Sequence, residues 1–366
     1  MFFWKALWYI QKMKQKPFWI AVFGLIFLLL IFFLRQQISP VSHGIHTLLG
    51  ETMGTTYQVL FRGELPNGIE EVQKRIDSKL QEINDAMSTW KEDSEISKIN
   101  RAPAGEWIPI SKQLYPVLKT SLDLSRKTGG AFDITVGPIA NLLGFGPTKP
   151  ATLPTPHELE EASHRVGYLN LEIESQRIEK KIPDMYLDVS GIAPGYGVDA
   201  LATVLREYGI THYSVEIGGE VAVQGTRGKK APWVVGIEKP LKESSPYSEL
   251  IHSVSMTHGA LATSGTYRTF KKYQGGEISH IIDPRSGKPT QTDLVSVTVY
   301  APTCMEADGI ATALMVLGVE EGMLWVEKQE GIEALFIRAK VGSNRLEQVM
   351  SSGFKKLIQD GSAGPS

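Results

Sequence analysis

The 366-residue sequence contains a single cysteine, Cys304, and no excess of positive charge. One cysteine cannot form an internal disulfide, and Cys304 lies far from the N-terminus, where a lipoprotein carries its acylated cysteine. Four lysines and no acidic residues precede residue 35, so residues 35–366 contain 34 basic and 40 acidic residues, a net charge of −6. This acidic balance argues against nucleic acid as a partner, because phosphate binding needs a basic surface.

The sequence also lacks internal repeats, low-complexity blocks, and the phosphate-binding motifs of P-loop and dinucleotide-binding proteins. No activating motif surrounds Cys304, and no Ser-His-Asp or Cys-His arrangement indicates a covalent nucleophile. With 42% hydrophobic and 21% charged residues, the chain is nevertheless long enough to form a large core.

One long hydrophobic run is present near the N-terminus. Residues 18–34 are seventeen uncharged, mostly bulky apolar residues, preceded by four lysines and followed by Arg35. A helix of this length spans roughly 25 Å and predicts a transmembrane signal-anchor in the inner membrane, with a cytoplasmic N-terminus and the rest of the chain in the periplasm. A cleaved signal peptide is the alternative, although no small-x-small cleavage site follows the run, and a buried core helix is a third interpretation.

The rest of the chain contains no long linker. The predicted organisation is a basic cytoplasmic N-terminus at 1–17, the membrane segment at 18–34, a polar tether at 35–46, one large domain at 47–358 and a flexible tail at 359–366.

Hydrophobic periodicity predicts a mixture of helices and hairpins. Apolar residues at spacings of three and four predict a helix at 69–87, and further helices are predicted at 114–127 and 198–208, each followed by glycine. Gly218-Gly219 separates two strand-like runs, as in a two-residue hairpin. Other strands are predicted at 47–61, 233–237, 253–257 and 295–300. This mixture predicts an α+β fold with largely antiparallel sheets and packed helices.

Asp308 and Thr312 are four residues apart in a segment with helical spacing, 305–317. Their side chains therefore share one helix face. A carboxylate and a hydroxyl are hard oxygen ligands, which suit Mg²⁺ better than a soft metal. The alternative is an exposed aspartate beside a threonine that bonds the carbonyl four residues earlier.

The segment 188–199 begins with Asp188 and contains three spaced glycines, Gly191, Gly195 and Gly197. These glycines permit close backbone approach and unusual φ angles, and a helix beginning near Val198 would direct unpaired N–H groups at an anion in the loop. An ordinary helix-entry turn is the alternative.

His280 precedes Ile281-Ile282-Asp283-Pro284, a pattern that predicts a strand end followed by a turn. A histidine in this position can act as a general base near neutral pH, or it can be structural. Arg285 and Lys288 lie just beyond it and could pair with phosphate oxygens.

Met53, Trp90 and Phe132 lie beside predicted turns or a strand end. Core packing is the default interpretation for such residues. A planar ring system such as isoalloxazine or adenine also needs walls of this kind.

These segments occur in the order found in one enzyme family. The resemblance is carried by six motifs, which are Met53-Gly54-Thr55, Met87-Ser88-Thr89-Trp90, 131–138, 188–199, 280–284 and 307–312. From Thr52 to about Gly318, the sequence resembles the FAD:protein FMN transferases of the ApbE family and implies their fold.

The resemblance implies that FMN is transferred from FAD to a Thr or Ser hydroxyl of a target flavoprotein through a phosphoester bond, with Mg²⁺ required and AMP released. The implied FAD-binding positions are Met53, Trp90, Ala131, Phe132, Asp133, Asp188, Pro194, Ile281 and Ile282. The implied metal ligands are Asp308, Thr312 and the carbonyl of Gly191. His280 is our candidate for the base that takes the proton of the acceptor hydroxyl.

Two positions depart from the family pattern. Many members carry lysine where this chain has Pro194, and some carry a second acid where it has Ala311. The alternative function is therefore an exported FAD-binding protein that at most hydrolyses FAD slowly to FMN and AMP. For the transferase, the implied partners are FAD, a redox-pump subunit or extracytoplasmic FMN-binding domain, and the membrane.

Overall fold

A computed structural model describes residues 44–65, 68–148, 150, 152–228, 230–240, 249–266, 270–273, 276–290, 292–339 and 345–361. The predicted N-terminal segment, the membrane helix and nearly all of the tether lie outside these residues. From Ile45 onward, the described residues belong to one structural unit.

The described residues form eight α-helices. They are α1 (Ile69–Met87), α2 (Glu95–Arg101), α3 (Leu114–Lys127), α4 (Gly137–Leu142), α5 (Pro156–Ser163), α6 (Ala193–Glu207), α7 (Cys304–Val326) and α8 (Ser352–Gly361). Helices α1 and α3 have the predicted bounds. Helix α6 begins at Ala193 rather than near Val198, since Pro194 fits a first helical turn, where its fixed φ and missing N–H are tolerated. Helix α8 extends three residues into the predicted tail.

Seventeen strands are present in the same residues. They are β1 (His46–Thr52), β2 (Thr55–Arg62), β3 (Ile108–Pro109), β4 (Leu171–Glu174), β5 (Arg177–Lys180), β6 (His212–Ile217), β7 (Glu220–Gln224), β8 (Trp233–Glu238), β9 (Leu250–Met256), β10 (His258–Gly265), β11 (Phe270–Tyr273), β12 (Gly276–Ser279), β13 (Ile282–Asp283), β14 (Lys288–Pro289), β15 (Leu294–Ala301), β16 (Glu333–Ala339) and β17 (Leu346–Met350).

The prediction of one strand over 47–61 was wrong. Strands β1 and β2 form a hairpin, in which Met53 and Gly54 make a two-residue turn with φ angles of 51° and 76°. Such turns match the twist of the flanking strands, but they place their first residue in a conformation that residues other than glycine rarely adopt. Met53 is therefore held at the tip of the hairpin in an uncommon backbone state.

The main sheet has eight strands in the order β1-β2-β6-β7-β10-β15-β16-β17, and all of its neighbouring pairs are antiparallel. Gly218-Gly219 joins β6 to β7 as predicted. Strands β8 and β9 form a separate two-stranded sheet, and only Thr257 separates β9 from β10 of the main sheet. These elements confirm the α+β class.

Both faces of the main sheet are covered. On one face, α1 and α6 pack over the first strands, and α7 packs over β10 and β15. On the other face, β8, β9 and α8 enclose a core that includes Trp233, Leu261 and Phe354. Layers on both faces are the usual means of burying a sheet that is apolar on both sides.

Within the described residues, α7 is long and apolar enough to cross a membrane by length and composition. Its contacts with β10, β15 and α6 are those of a core helix. Gly318, with φ 77° and ψ −177°, interrupts the helical conformation inside it.

Candidate functional site

Thirteen site residues are expected from the sequence, namely nine FAD-binding positions, three metal ligands and His280. All of them line one or both of two adjoining cavities. The first has a volume of about 480 Å³ and is lined by all of them except Met53 and Trp90. The second has a volume of about 630 Å³ and is lined by those two residues. Asp188, Ser190 and Pro194 line both cavities and form their shared wall.

A group of oxygen atoms lies where α7 passes the segment before α6. The Thr312 hydroxyl lies 3.5 Å from the carbonyl oxygen of Gly191 and 3.3 Å from the hydroxyl of Ser264 on β10. A side chain at position 191 would place its Cβ 3.0 Å from the Thr312 hydroxyl, so glycine is what allows this approach. Thr312 thus contacts other segments, and the alternative of a bond within its own helix is not what the structure shows.

Asp308 is the carboxylate of this group and is only 5% exposed. One of its oxygens accepts the N–H of Gly195 over 2.9 Å. The pKa of Asp308 is raised to about 7, chiefly by burial, while the Gly195 N–H lowers it and the nearby Asp199 carboxylate raises it. A bound cation would lower the pKa of Asp308 and so oppose the effects of burial and of Asp199, because it favours the charged carboxylate.

The donor chemistry of this group fits Mg²⁺. The described residues contain no cluster of three or more His, Cys, Asp or Glu side chains that could hold a metal ion. The available groups are one carboxylate, two hydroxyls and one carbonyl, all hard oxygens. Mg²⁺ typically binds to one or two carboxylates and completes its shell with water and substrate phosphates, whereas a soft metal needs thiolates or imidazoles.

The N-terminus of α6 does not offer the predicted unpaired N–H groups. The N–H groups of Ala193 and Tyr196 bond to Val189 and Ile192, the N–H of Gly195 bonds to Asp308, and Pro194 has none. None of Gly191, Gly195 and Gly197 has a positive φ, so that expectation was also wrong. Their function is close approach, since a Cβ at Gly195 would lie 2.4 Å from the carbonyl oxygen of Cys304 on α7.

Asp133 lines the first cavity, and its carboxylate accepts hydrogen bonds from other residues of the protein. One oxygen accepts the N–H and the hydroxyl of Thr135, and the other accepts the N–H of Tyr168 over 2.8 Å. The Thr135 hydroxyl in turn accepts the N–H of Gly167. Burial raises the pKa of Asp133, and these hydrogen bonds lower it. Asp133 therefore joins two loops and fixes the wall formed by Ala131 and Phe132.

Asp188 follows a buried segment that runs beside this wall. Its N–H donates to the carbonyl of Ile134 over 2.7 Å, and its carboxylate accepts the N–H of Ser190 over 2.9 Å. The side chain is half-buried and faces both cavities. The shared wall thus carries a carboxylate and, at Pro194, a residue without charge or N–H.

His280 follows directly after β12 and is exposed at the first cavity, as its predicted position at a strand end requires. Its ring lies edge-on to Phe145, with centroids 6.3 Å apart. Ile281 and Ile282 are buried beside it. Asp283 and Pro284 begin the predicted turn, closed by hydrogen bonds from Ser286 and Gly287 to the Asp283 carbonyl.

Arg285 and Lys288, which could pair with phosphate oxygens, lie outside the lining of the first cavity. The Arg285 guanidinium binds both oxygens of the Asp283 carboxylate, at 3.0 and 3.1 Å, and this contact raises its pKa.

Trp90 is 64% exposed, so the default of core packing is wrong for this residue. It stands in the turn after α1 and faces the second cavity together with Met53. Gly197 leaves space for the Met53 methyl group, which would lie 3.2 Å from a Cβ there. An exposed indole beside a flexible thioether forms an apolar site for a planar ring.

The polar residues of the first cavity include three that were not predicted from the sequence. Thr263 and Ser264 come from the end of β10, and Glu220 comes from the start of β7. The Thr-Ser-Gly ending of β10 is the signal that indicates a polar site there, because a buried strand has no need of two hydroxyls at its end.

Comparison with known proteins agrees with the six motifs. The profile of the ApbE family matches residues 53–336. An FAD:protein FMN transferase from Vibrio cholerae is 40% identical over 315 residues, which cover 85% of this chain and 92% of that protein. One from Haemophilus influenzae is 38% identical over 321 residues, covering 86% of this chain and 91% of that protein.

A solved structure has the same fold. The flavin transferase ApbE from Vibrio cholerae, in a histidine-to-glycine variant, matches with a TM-score of 0.78 and 40% identity, covering 86% of this chain and 100% of that chain. The match confirms the ApbE-like fold that the sequence resemblance implied.

Proposed function

The chain belongs to the ApbE family, and on this premise we propose that it is an FAD:protein FMN transferase. The observation that carries the proposal is a single cavity whose walls include Asp188, the Asp308–Thr312 pair and His280. Transfer of FMN from a diphosphate requires a site for the diphosphate, ligands for a cation and a residue that accepts a proton, and these side chains supply all three.

The donor fits the two adjoining cavities. FAD consists of two ring systems joined by a diphosphate, and the two cavities meet at the wall of Asp188, Ser190 and Pro194. We place the diphosphate at this wall and one ring system in each cavity. Phe132, Ile281 and Ile282 supply apolar surface in the first cavity, and Met53 and Trp90 supply it in the second.

Asp308, Thr312 and the carbonyl of Gly191 would hold Mg²⁺, with the Ser264 hydroxyl beside Thr312. When bound, Mg²⁺ neutralises charge on the diphosphate oxygens. The hydrogen bond from Gly195 fixes the orientation of the Asp308 carboxylate before any ligand arrives. Such pre-organisation reduces the cost of assembling the site during the reaction.

In the proposed reaction, the hydroxyl oxygen of an acceptor Thr or Ser forms a bond to the phosphorus of the FMN half. The bond from that phosphorus to the bridging oxygen breaks, and AMP leaves with the bridging oxygen. His280 accepts the hydroxyl proton and later releases it to solvent. Asp133 stays outside the reaction and holds the wall on which the ring system packs.

We also propose that the catalytic domain is exported and anchored in the inner membrane. The support is the charge pattern around residues 18–34, with four lysines before the hydrophobic run. An exported enzyme modifies exported acceptors, so the partner is a redox-pump subunit or another extracytoplasmic FMN-binding domain. Protease should digest the catalytic domain in intact spheroplasts. Protection of the domain until lysis contradicts this topology.

The deciding experiment is a transfer assay with purified protein, FAD, Mg²⁺ and the FMN-binding domain of a redox-pump subunit. The transferase predicts that the mass of the acceptor increases by one FMN and that an equal amount of AMP appears. The alternative, a protein that only binds and slowly hydrolyses FAD, predicts free FMN and AMP with an acceptor of unchanged mass.

A further inference from the structure

A groove of about 470 Å³ lies on the face of the main sheet opposite α6 and α7. Its floor consists of alternate residues of neighbouring strands, which are Gln58 and Leu60 of β2, Ser214 and Glu216 of β6, Val221 of β7 and Thr263 of β10. The strand register pairs Gln58 with Glu216 and Leu60 with Ser214, so these side chains project from one face of the sheet.

The wall of the groove is the edge of β8. Four consecutive residues, Trp233, Val234, Val235 and Gly236, line the groove. Successive residues of a strand point to opposite faces, so a surface lined by consecutive residues is the edge of the strand and presents its backbone. Within the described residues, β8 pairs only with β9, which leaves its other edge without a neighbouring strand.

Two exposed apolar side chains stand at this groove. Val234 is 59% exposed, and Leu250 of β9 is 56% exposed. An exposed strand edge with apolar side chains is a site where another chain can add a strand, with backbone hydrogen bonds providing affinity and the side chains providing selectivity.

The groove adjoins the first cavity. Gly218 and Thr263 line both of them. Thr263 and Ser264 are neighbours on β10, so the strand turns Thr263 toward the groove face and Ser264 toward Thr312 and the proposed cation site. The first cavity therefore adjoins the second cavity at Asp188 and the groove at Thr263.

We propose that this groove is the docking site of the acceptor protein. An extended segment of the acceptor lies along the edge of β8 that faces the groove and delivers its Thr or Ser hydroxyl past Thr263 into the first cavity. The acceptor is the expected occupant because the groove adjoins the reaction site. In the proposed placement, FAD fills both cavities across their shared wall, and the groove meets the first cavity at a different wall, which FAD leaves open to the acceptor. The inference rests on the proposed function and adds the surface that the protein substrate uses.

The test is Val234→Glu, which places a charge on the exposed apolar position of the groove, with Leu250→Glu as a second variant. The control is Leu324→Glu, since Leu324 is 66% exposed on α7 and lines none of these three surfaces. Three quantities are measured, namely FAD affinity, FAD hydrolysis without acceptor, and the KM for the FMN-binding domain of a redox-pump subunit.

If the acceptor docks in the groove, Val234→Glu and Leu250→Glu should each raise the KM for the acceptor about tenfold or more, the effect expected of a central apolar contact. FAD affinity and FAD hydrolysis should remain those of the wild type. An unchanged KM overturns the docking site while transfer itself continues. Weakened FAD binding also overturns it, since the groove then belongs to the donor. Absence of transfer by the wild-type protein instead contradicts the proposed function.

Strand addition is tested with a peptide that spans the acceptor threonine and competes with the domain. Two versions carry N-methyl groups on alternate residues, in opposite registers. Because an added strand bonds to β8 through every second residue, one version should lose competition and the other should retain it. Equal behaviour of the two versions, or no competition by the unmodified peptide, contradicts strand addition along β8.

Discussion

The backbone N–H of Gly195 donates a hydrogen bond of 2.9 Å to the carboxylate of Asp308, 113 residues later in the chain. This bond joins α6, which contains Gly195 and Gly197 of the glycine-spaced segment, to α7, which carries Asp308 and Thr312. The two helices can approach this closely only because position 195 has no side chain.

Removal of Asp308 tests the proposed cation site. We expect Asp308→Ala to lower Mg²⁺-dependent transfer by at least about 10²-fold with the fold intact, because it removes the one charged ligand. Thr312→Val should have a smaller effect, since a neutral ligand is lost. Transfer rates are measured against Mg²⁺ concentration, with Glu51→Ala as an exposed acidic control. Near-wild-type activity of Asp308→Ala at low Mg²⁺ shows that the assigned site is wrong.

Asp308 should also make stability depend on pH when no metal is present. Its pKa is about 7 in the folded state and near the ordinary value of 3.8 in the unfolded chain. The folded state therefore binds the extra proton between about pH 4 and pH 7, so the free energy of unfolding falls as pH rises through this range and levels off above it. Asp308→Asn should flatten this dependence, as measured by urea unfolding in EDTA. An equally steep dependence in the variant contradicts the shift.

His280 is tested by His280→Asn. If it takes the proton of the acceptor hydroxyl, the single-turnover rate should fall on the order of 10²–10⁴-fold with little change in FAD affinity, since general-base assistance is expressed mainly in the transition state. His157→Asn, at an exposed position on α5, is the matched control. Weakened FAD binding with an unchanged rate excludes the base role and leaves the cation and positioning as the mechanism.

Asp133→Ala should destabilise the protein whether or not FAD is present. The substitution leaves two N–H groups and one hydroxyl of Thr135 and Tyr168 without their acceptor in a buried place. We expect a loss of about 2–4 kcal/mol in the free energy of unfolding. Asp93→Ala, on an exposed turn, should change it by less than about 0.5 kcal/mol. Unchanged stability of Asp133→Ala would mean that the carboxylate serves the ligand alone.

Gly195→Ala should separate α6 from α7 at the cavity. Its Cβ would lie 2.4 Å from the Cys304 carbonyl oxygen and 2.8 Å from Asp308 Cβ, so one helix has to move. We expect a loss of about 1–3 kcal/mol in stability and weaker Mg²⁺ dependence of transfer. Gly228→Ala is the control, because no atom lies within 4 Å of the added group. Equal behaviour of the two variants contradicts the tight contact.

Local patterns predicted several of the elements but not the contacts between distant ones. The apolar spacing of 69–87 and the glycines after Lys127 gave α1 and α3 their correct bounds, because both signals act within one element. The hydroxyls of Ser264 and Thr312 come together across 48 residues of chain, through packing of α7 on β10. Periodicity contains no information on that packing, so Ser264 was not identified.

The same limit applies to the roles of predicted residues. The family resemblance implies that Asp133 contacts FAD, but no local pattern predicts that its carboxylate accepts the N–H of Tyr168, 35 residues away. Residues of the segment 188–199 line both cavities, but the direction of its N–H groups depends on where α6 begins, and this in turn depends on Pro194. Element ends and long-range hydrogen bonds are decided by tertiary structure.

The wall that the two cavities share has a consequence for the order of events after catalysis. In the proposed placement, FAD crosses Asp188, Ser190 and Pro194 and is cut close to this wall, so its two halves end in different cavities. AMP and the flavinylated acceptor therefore need not leave through one exit, and neither has to wait for the other. Product release is expected to follow a random sequence, and AMP should inhibit by competing with FAD for only one half of its site.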